Sequence, residues 1–210
     1  MMKMRKVRSE KRMATNYRLL SGYASIITGI LFILAHTLNL GGPEDFGTVT
    51  GETLVLAAHS LLVFVFFAIF ALHGERNGIL GLLGMALGII GTILVTAIVY
   101  VEIACGSGAK VDSVLAADVP RTIHSFGPLL FVAGMILFGI SVVRENVLSR
   151  GGGYLLIAGT LFFVVASFTG AAQSIIEVIG AVFTGGGLIW MGFPMVKNQK
   201  PVVGNNHLSR

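Results

Sequence analysis

Five ionisable residues, His36, His59, Glu102, His124 and Glu177, stand inside or at the edge of long apolar stretches. An ionisable side chain is costly there, so each is a candidate for function. Imidazole nitrogens and carboxylate oxygens form the donor set for iron, copper or zinc. Three histidines with one or two carboxylates suit a non-haem metal, with His36, His59, Glu102, His124 and Glu177 as the ligand set. His59 with His124, or His36 with either, suits axial ligation of haem b. Glu102 or Glu177 could otherwise accept a proton. The sequence carries no HxxH, HExxH, GxSxG or P-loop motif, so no enzyme class is fixed by a local signature. Any chemistry must come from residues that different helices bring together.

The elements that would do so are apolar spans. The chain has 54% hydrophobic and 12% charged residues and a mean hydropathy of +0.85, whereas a soluble domain has about a quarter charged residues. Six spans are expected, over residues 19–40, 54–72, 79–103, 123–143, 154–168 and 172–196. At 1.5 Å per residue the first crosses a hydrocarbon core of ~30 Å. It follows a basic stretch without a small-x-small cleavage site and reads as a retained helix. The 28 glycines suit close helix packing in lipid. The expected architecture is an all-α, six-helix transmembrane bundle built as three hairpins. A basic segment (1–18) precedes it and a short tail (197–210) follows. The returning helices start with His59-Ser60, His124-Ser125 and Gln173-Ser174, a hint of an internal repeat.

Charge sets the expected orientation. Seven of the fifteen Lys and Arg residues precede the first span, as cytoplasmic retention requires, and the same segment could touch anionic lipid. Met13 offers an alternative start that would keep only Arg18 of the seven. With both termini inside, 41–53 (Glu44, Asp45, Glu52) and 104–122 become outer loops. Only Lys110 and Arg121 of the fifteen basic residues then lie outside. The net charge of +5 thus reflects topology and not a nucleic-acid partner. The absence of an Asn-x-Ser/Thr acceptor fits a bacterial plasma membrane. Cys105, the single cysteine, excludes an intrachain disulfide or CxxC pair and is expected in an outer loop.

Depth and helical phase then group the candidates. His36 and His59 fall ~6 to 8 Å below the outer boundary, and Glu102, His124 and Glu177 close or open their spans on the same side. Ser21, Ser25, Thr28, His36 and Asn39 form one stripe of the first helix, and Gly84, Gly88 and Gly91 lie within about 40° of Glu102. His36 and Glu102 are therefore expected to face protein. His73, ~21 Å from His59 on nearly the same face, is expected at the inner interface, and His207 in the tail.

Three functions compete. One is a membrane redox or metal protein exchanging electrons with a quinone or an external partner. Metal lost on His59→Ala or His124→Ala would mark it. Another is a small-solute or proton-coupled transporter, with Gly185-Gly186-Gly187 as the break in a helix lining a substrate site. The third is a non-catalytic subunit, assembly factor or sensor of a larger membrane complex, whose polar layer holds helices together without a ligand.

Overall fold

The computed structural model describes residues 2–42 and 47–197, without the side chains of residues 2–15, Glu75 and Asn77. The described residues are almost entirely helical and contain no strand. Helix α1 spans Met2–Asn39, α2 Val49–His73, α3 Gly78–Gly106, the short α4 Asp112–Ala116, α5 Asp118–Glu145, α6 Arg150–Ala166 and α7 Gln173–Lys197. Glu44, Asp45 and the tail residues Lys200, His207 and Arg210 lie outside the described residues.

Five segments are long and apolar enough to cross a membrane: Asn16–Asn39, Val49–His73, Gly78–Gly106, Asp118–Glu145 and Gly170–Lys197. The sixth apolar helix, Arg150–Ala166, has 17 residues and is shorter. The outward surface carries Leu20, Ile27, Phe64, Phe67, Ile93, Leu129 and Phe193, while Ser25, Thr28, Thr92, Ser141 and Thr160 are buried. Apolar groups outside and hydroxyls inside are compatible with a protein solvated by lipid.

Local signals explain where helices stop. Thr48 caps α2, its hydroxyl accepting from the Gly51 N–H at 3.0 Å. Gly74 (φ +56°) ends α2, and Asn146 in the left-handed region (φ 51°) ends α5. Several expected boundaries move. Glu52, placed by sequence in an outer loop, belongs to the first turns of α2 and is buried. Cys105 lies in the last turn of α3, half-buried, and not in the following loop. The 104–122 connection is itself partly helical, through α4 and the start of α5.

The large helices close a ring in which α1 packs on α2, α2 on α3, α3 on α5, α5 on α6, α6 on α7 and α7 on α1. Phe32, Leu62, Phe66, Phe131, Met135, Leu156 and Met191 fill its middle. Glycines set the closest approaches. A Cβ on Gly84 or Gly91 would strike the backbone of Phe138 or Phe131, and one on Gly134 the backbone of Gly88. Gly29 and Gly185 likewise abut each other's carbonyls. Such contacts need residues without side chains. The Gly185-Gly186-Gly187 run, expected as a break, lies within continuous helix. Gly185 there meets α1 and Gly187 meets α6.

Neighbouring glycines in that run should respond in opposite ways. A Cβ at Gly186 meets only Leu155 Cδ1 at 4.0 Å. Gly186→Ala should therefore be neutral or raise the thermal midpoint slightly, because alanine favours helix by about 0.5–1 kcal/mol. Gly185→Ala should destabilise by roughly 1–3 kcal/mol, the range for overpacking a filled interior. Thermal unfolding of the two purified variants in one detergent would test this. Equal midpoints would reject the close α1–α7 contact.

Candidate functional site

The site lies where α1 ends and α2 begins. Asn39, the last residue of α1, accepts from the Thr48 N–H through Oδ1 at 2.9 Å and donates from Nδ2 to Glu52 Oε1 at 2.5 Å. The same amide thus pins the N-cap of α2 and supplies the buried Glu52 carboxyl with a donor. Small residues leave room for it. A Cβ on Gly47 (φ +58°) would press on Asn39 and on Glu52 Oε1, and a Cβ on Gly51 would overlap the Asn39 amide.

From Glu52 the polar contacts run to α3. The Glu52 and Glu102 carboxyls meet side chain to side chain, with Glu177 close enough to act on both electrostatically. Two carboxyls can share a hydrogen bond only with a proton between them, because a carboxylate has no donor. On the other side, Glu177 of α7 accepts from Gln173 Nε2 at 2.8 Å and lies 3.8 Å from His36 Nδ1. That second distance is too long for a direct hydrogen bond. The His36 ring rests against Phe32 (centroids 6.3 Å apart, interplanar angle 2°) and Phe163 (5.0 Å). These links run from α7 through α1 and α2 to α3.

The five residues chosen from sequence divide. His36, Glu102 and Glu177 belong to this layer. His59 is adjacent and 4% exposed, its ring held by Phe32 at 5.2 Å and Phe131 at 5.0 Å. Its Nδ1 has no hydrogen-bond partner among the described residues. His124 is exposed on α5 and shares an open-sided groove with Glu102. Glu52 is the residue that sequence reading missed. Its signal was the cap: Thr48 just before an apolar run marks a helix start, which puts Glu52 inside the helix. His73, expected at an interface, is 4% exposed, and neither ring nitrogen has a hydrogen-bond partner among the described residues.

Among the described residues no group of three or more His, Cys, Asp or Glu could hold a metal ion. The His59 imidazole itself is packed between the rings of Phe32 and Phe131. What the layer offers chemically is proton and cation binding: three carboxyls, one imidazole and two amides. Comparison with known proteins brings no relative, as no family model, no curated protein and no solved structure matches the chain.

Removing the Asn39 amide should leave the Glu52 carboxyl buried without its donor. Asn39→Ala is expected to cost about 1–3 kcal/mol, the penalty for an unsatisfied buried polar group. Gly51→Ala should cost a similar amount by displacing the amide. Thermal midpoints of both single variants and the double variant would measure this. A double-variant loss equal to the sum of the two single losses would show that they do not act through the same amide.

Proposed function

We propose that this chain is a six-helix, multi-pass plasma-membrane protein, a proton-coupled carrier of a small solute. The Glu52–Glu102 pair is its proton-binding group. The observation that carries the reading is the meeting of these two carboxyls between α2 and α3, with Asn39 donating to one of them. An ionised pair in so apolar a setting would repel itself and lose hydration. One shared proton relieves both penalties, and a cation taking its place would do the same. Such a site exchanges one positive charge for another, which is the elementary requirement of proton coupling.

The proposed membrane arrangement rests on helix length and on the distribution of basic residues. All six apolar helices span the bilayer as three hairpins, α1–α2, α3–α5 and α6–α7, and the shorter α6 is carried by glycine contacts to α5 and α7. Both termini are cytoplasmic, because that orientation leaves only Lys110 and Arg121 of the fifteen basic residues outside. His36, Glu52, Glu102, His124 and Glu177 then lie toward the outer face. The exposed Tyr100 and Trp190 fit interfacial anchors near helix ends.

Orientation can be read by cysteine labelling in intact cells. In a Cys105→Ala background, Ser107→Cys should react with a membrane-impermeant maleimide, whereas Val147→Cys should react only after permeabilisation. The reverse pattern would overturn the topology.

The proton pair has its own test. Infrared difference spectra of the purified protein across a pH step should show a protonated-carboxyl band that is lost in Glu52→Gln and in Glu102→Gln. A wild-type spectrum without that band, or one unchanged by both substitutions, would overturn the proton-binding reading. In proteoliposomes holding an imposed pH gradient, solute-driven collapse should likewise disappear in both variants.

A further inference from the structure

Beside the carboxyl pair, α3, α4 and α5 enclose an open-sided groove of about 160 Å³. Ile98 and Val101 of α3, Leu115 of α4 and Ile123 of α5 line it apolarly, with Glu102 and His124 as its ionisable groups. One carboxyl is therefore shared between the groove and the contact with Glu52. A ligand lying in the groove would meet the group that holds the proton.

The polar and charged groups near Glu102 come from several helices. Glu52 faces it from α2 and Glu177 acts on it from α7. His124 lies across the groove on α5. From α1, Asn39 is bonded to Glu52, and His36 lies by Glu177. Arg121 sits with His124 at a second, smaller pocket and is engaged by Asp118. Pro128, four residues after His124, has no N–H to give the His124 carbonyl, so that acceptor lacks its usual helical donor. Leaving aside the Arg121–Asp118 ion pair, which cancels, the balance around the groove is three carboxyls, Glu52, Glu102 and Glu177, against the two imidazoles of His36 and His124. An apolar groove ending on such a field favours a cation with a hydrophobic body.

We propose that the groove between α3, α4 and α5 binds a hydrophobic organic cation, with its head against Glu102 and its apolar body on Ile98, Val101, Leu115 and Ile123. This deepens the proton-coupled reading and rests on it. The head pairs with the Glu102 carboxylate, and the proton shared with Glu52 leaves to water. One positive charge enters as one departs. Binding therefore weakens as the pH falls, because the proton competes for the same carboxyl. It strengthens with rising pH, up to about tenfold per unit where one proton is displaced per cation.

Benzyltrimethylammonium is a suitable probe, since its permanent charge cannot carry a proton. Calorimetry on the full-length protein in weakly buffered detergent, with a pH indicator, should show binding with release of close to one proton per cation. Neopentylbenzene, the uncharged isostere, should neither compete nor release protons. Glu102→Gln should abolish proton release and weaken binding at least tenfold. Leu115→Trp, which fills the groove, should weaken binding while keeping the carboxyl infrared band. Saturable binding without proton release, equal competition by neopentylbenzene, or no binding by a wild-type protein that shows the infrared band would each overturn the cation proposal alone. Loss of the band from wild type would instead remove the proton-binding reading beneath it.

Discussion

Where Gly91 of α3 lies against the backbone of Phe131 in α5, and Gly134 of α5 against Gly88 of α3, no side chain separates the two helices. The same contact recurs between α1 and α7 at Gly29 and Gly185, and between α6 and α7 at Gly152 and Gly187. Backbones this close gain dispersion contact along the whole seam, which holds the helices together. The ring depends on these seams. They also set what the remaining space can hold. Gly88 leaves room for the Phe66 ring, and Phe131 closes over His59.

With the helices held by glycine, polar side chains have few places to go. Leucine, isoleucine and phenylalanine are prominent on the exterior, and of the hydroxyls turned inward some bond to backbone, while Thr28, Thr92, Ser141 and Thr184 have no hydrogen-bond partner among the described residues. Ser25 donates to the Leu188 carbonyl across the α1–α7 seam at 2.7 Å, and Thr160 to the Leu156 carbonyl of its own turn. The carboxyls cannot be satisfied that way, since a carboxylate only accepts and a helix backbone has already spent its N–H groups. They gather instead at helix ends, where amides and a further carboxyl can meet them. Asn39 is the hinge of this arrangement. One side-chain amide closes the turn into α2 and holds Glu52 in place.

The layer is unequal around the ring. α1, α2, α3 and α7 each contribute a polar group to it, α5 contributes His124 through the groove, and α6 contributes only the ring of Phe163 against His36. The continuous helix through Gly185-Gly186-Gly187 removes the broken-helix argument for transport. A carrier reading thus stands on the carboxyls, and the glycine run becomes part of the packing seam.

Much was legible from sequence because it depends on local properties. Helical periods placed Ser21, Ser25 and Thr28 on a buried face and Gly84, Gly88 and Gly91 on a packing face, since both stripes follow from 3.6 residues per turn. Helix length and apolar composition marked the five long segments and the shorter sixth. The boundaries were less legible at Glu52 and Cys105, where capping and the extra last turn outweighed average hydropathy. What sequence could not decide was which residues touch. Glu52 and Glu102 are fifty residues apart, and nothing in either segment specifies their contact. It arises from the ring order of the helices, the glycine-set distances between them and the turn pinned by Asn39. Depth alone put His59 and His124 in one layer with Glu177. Tertiary packing enclosed the first in phenylalanine and left the second exposed, because a residue's rotation about the bundle depends on neighbours that no local pattern names.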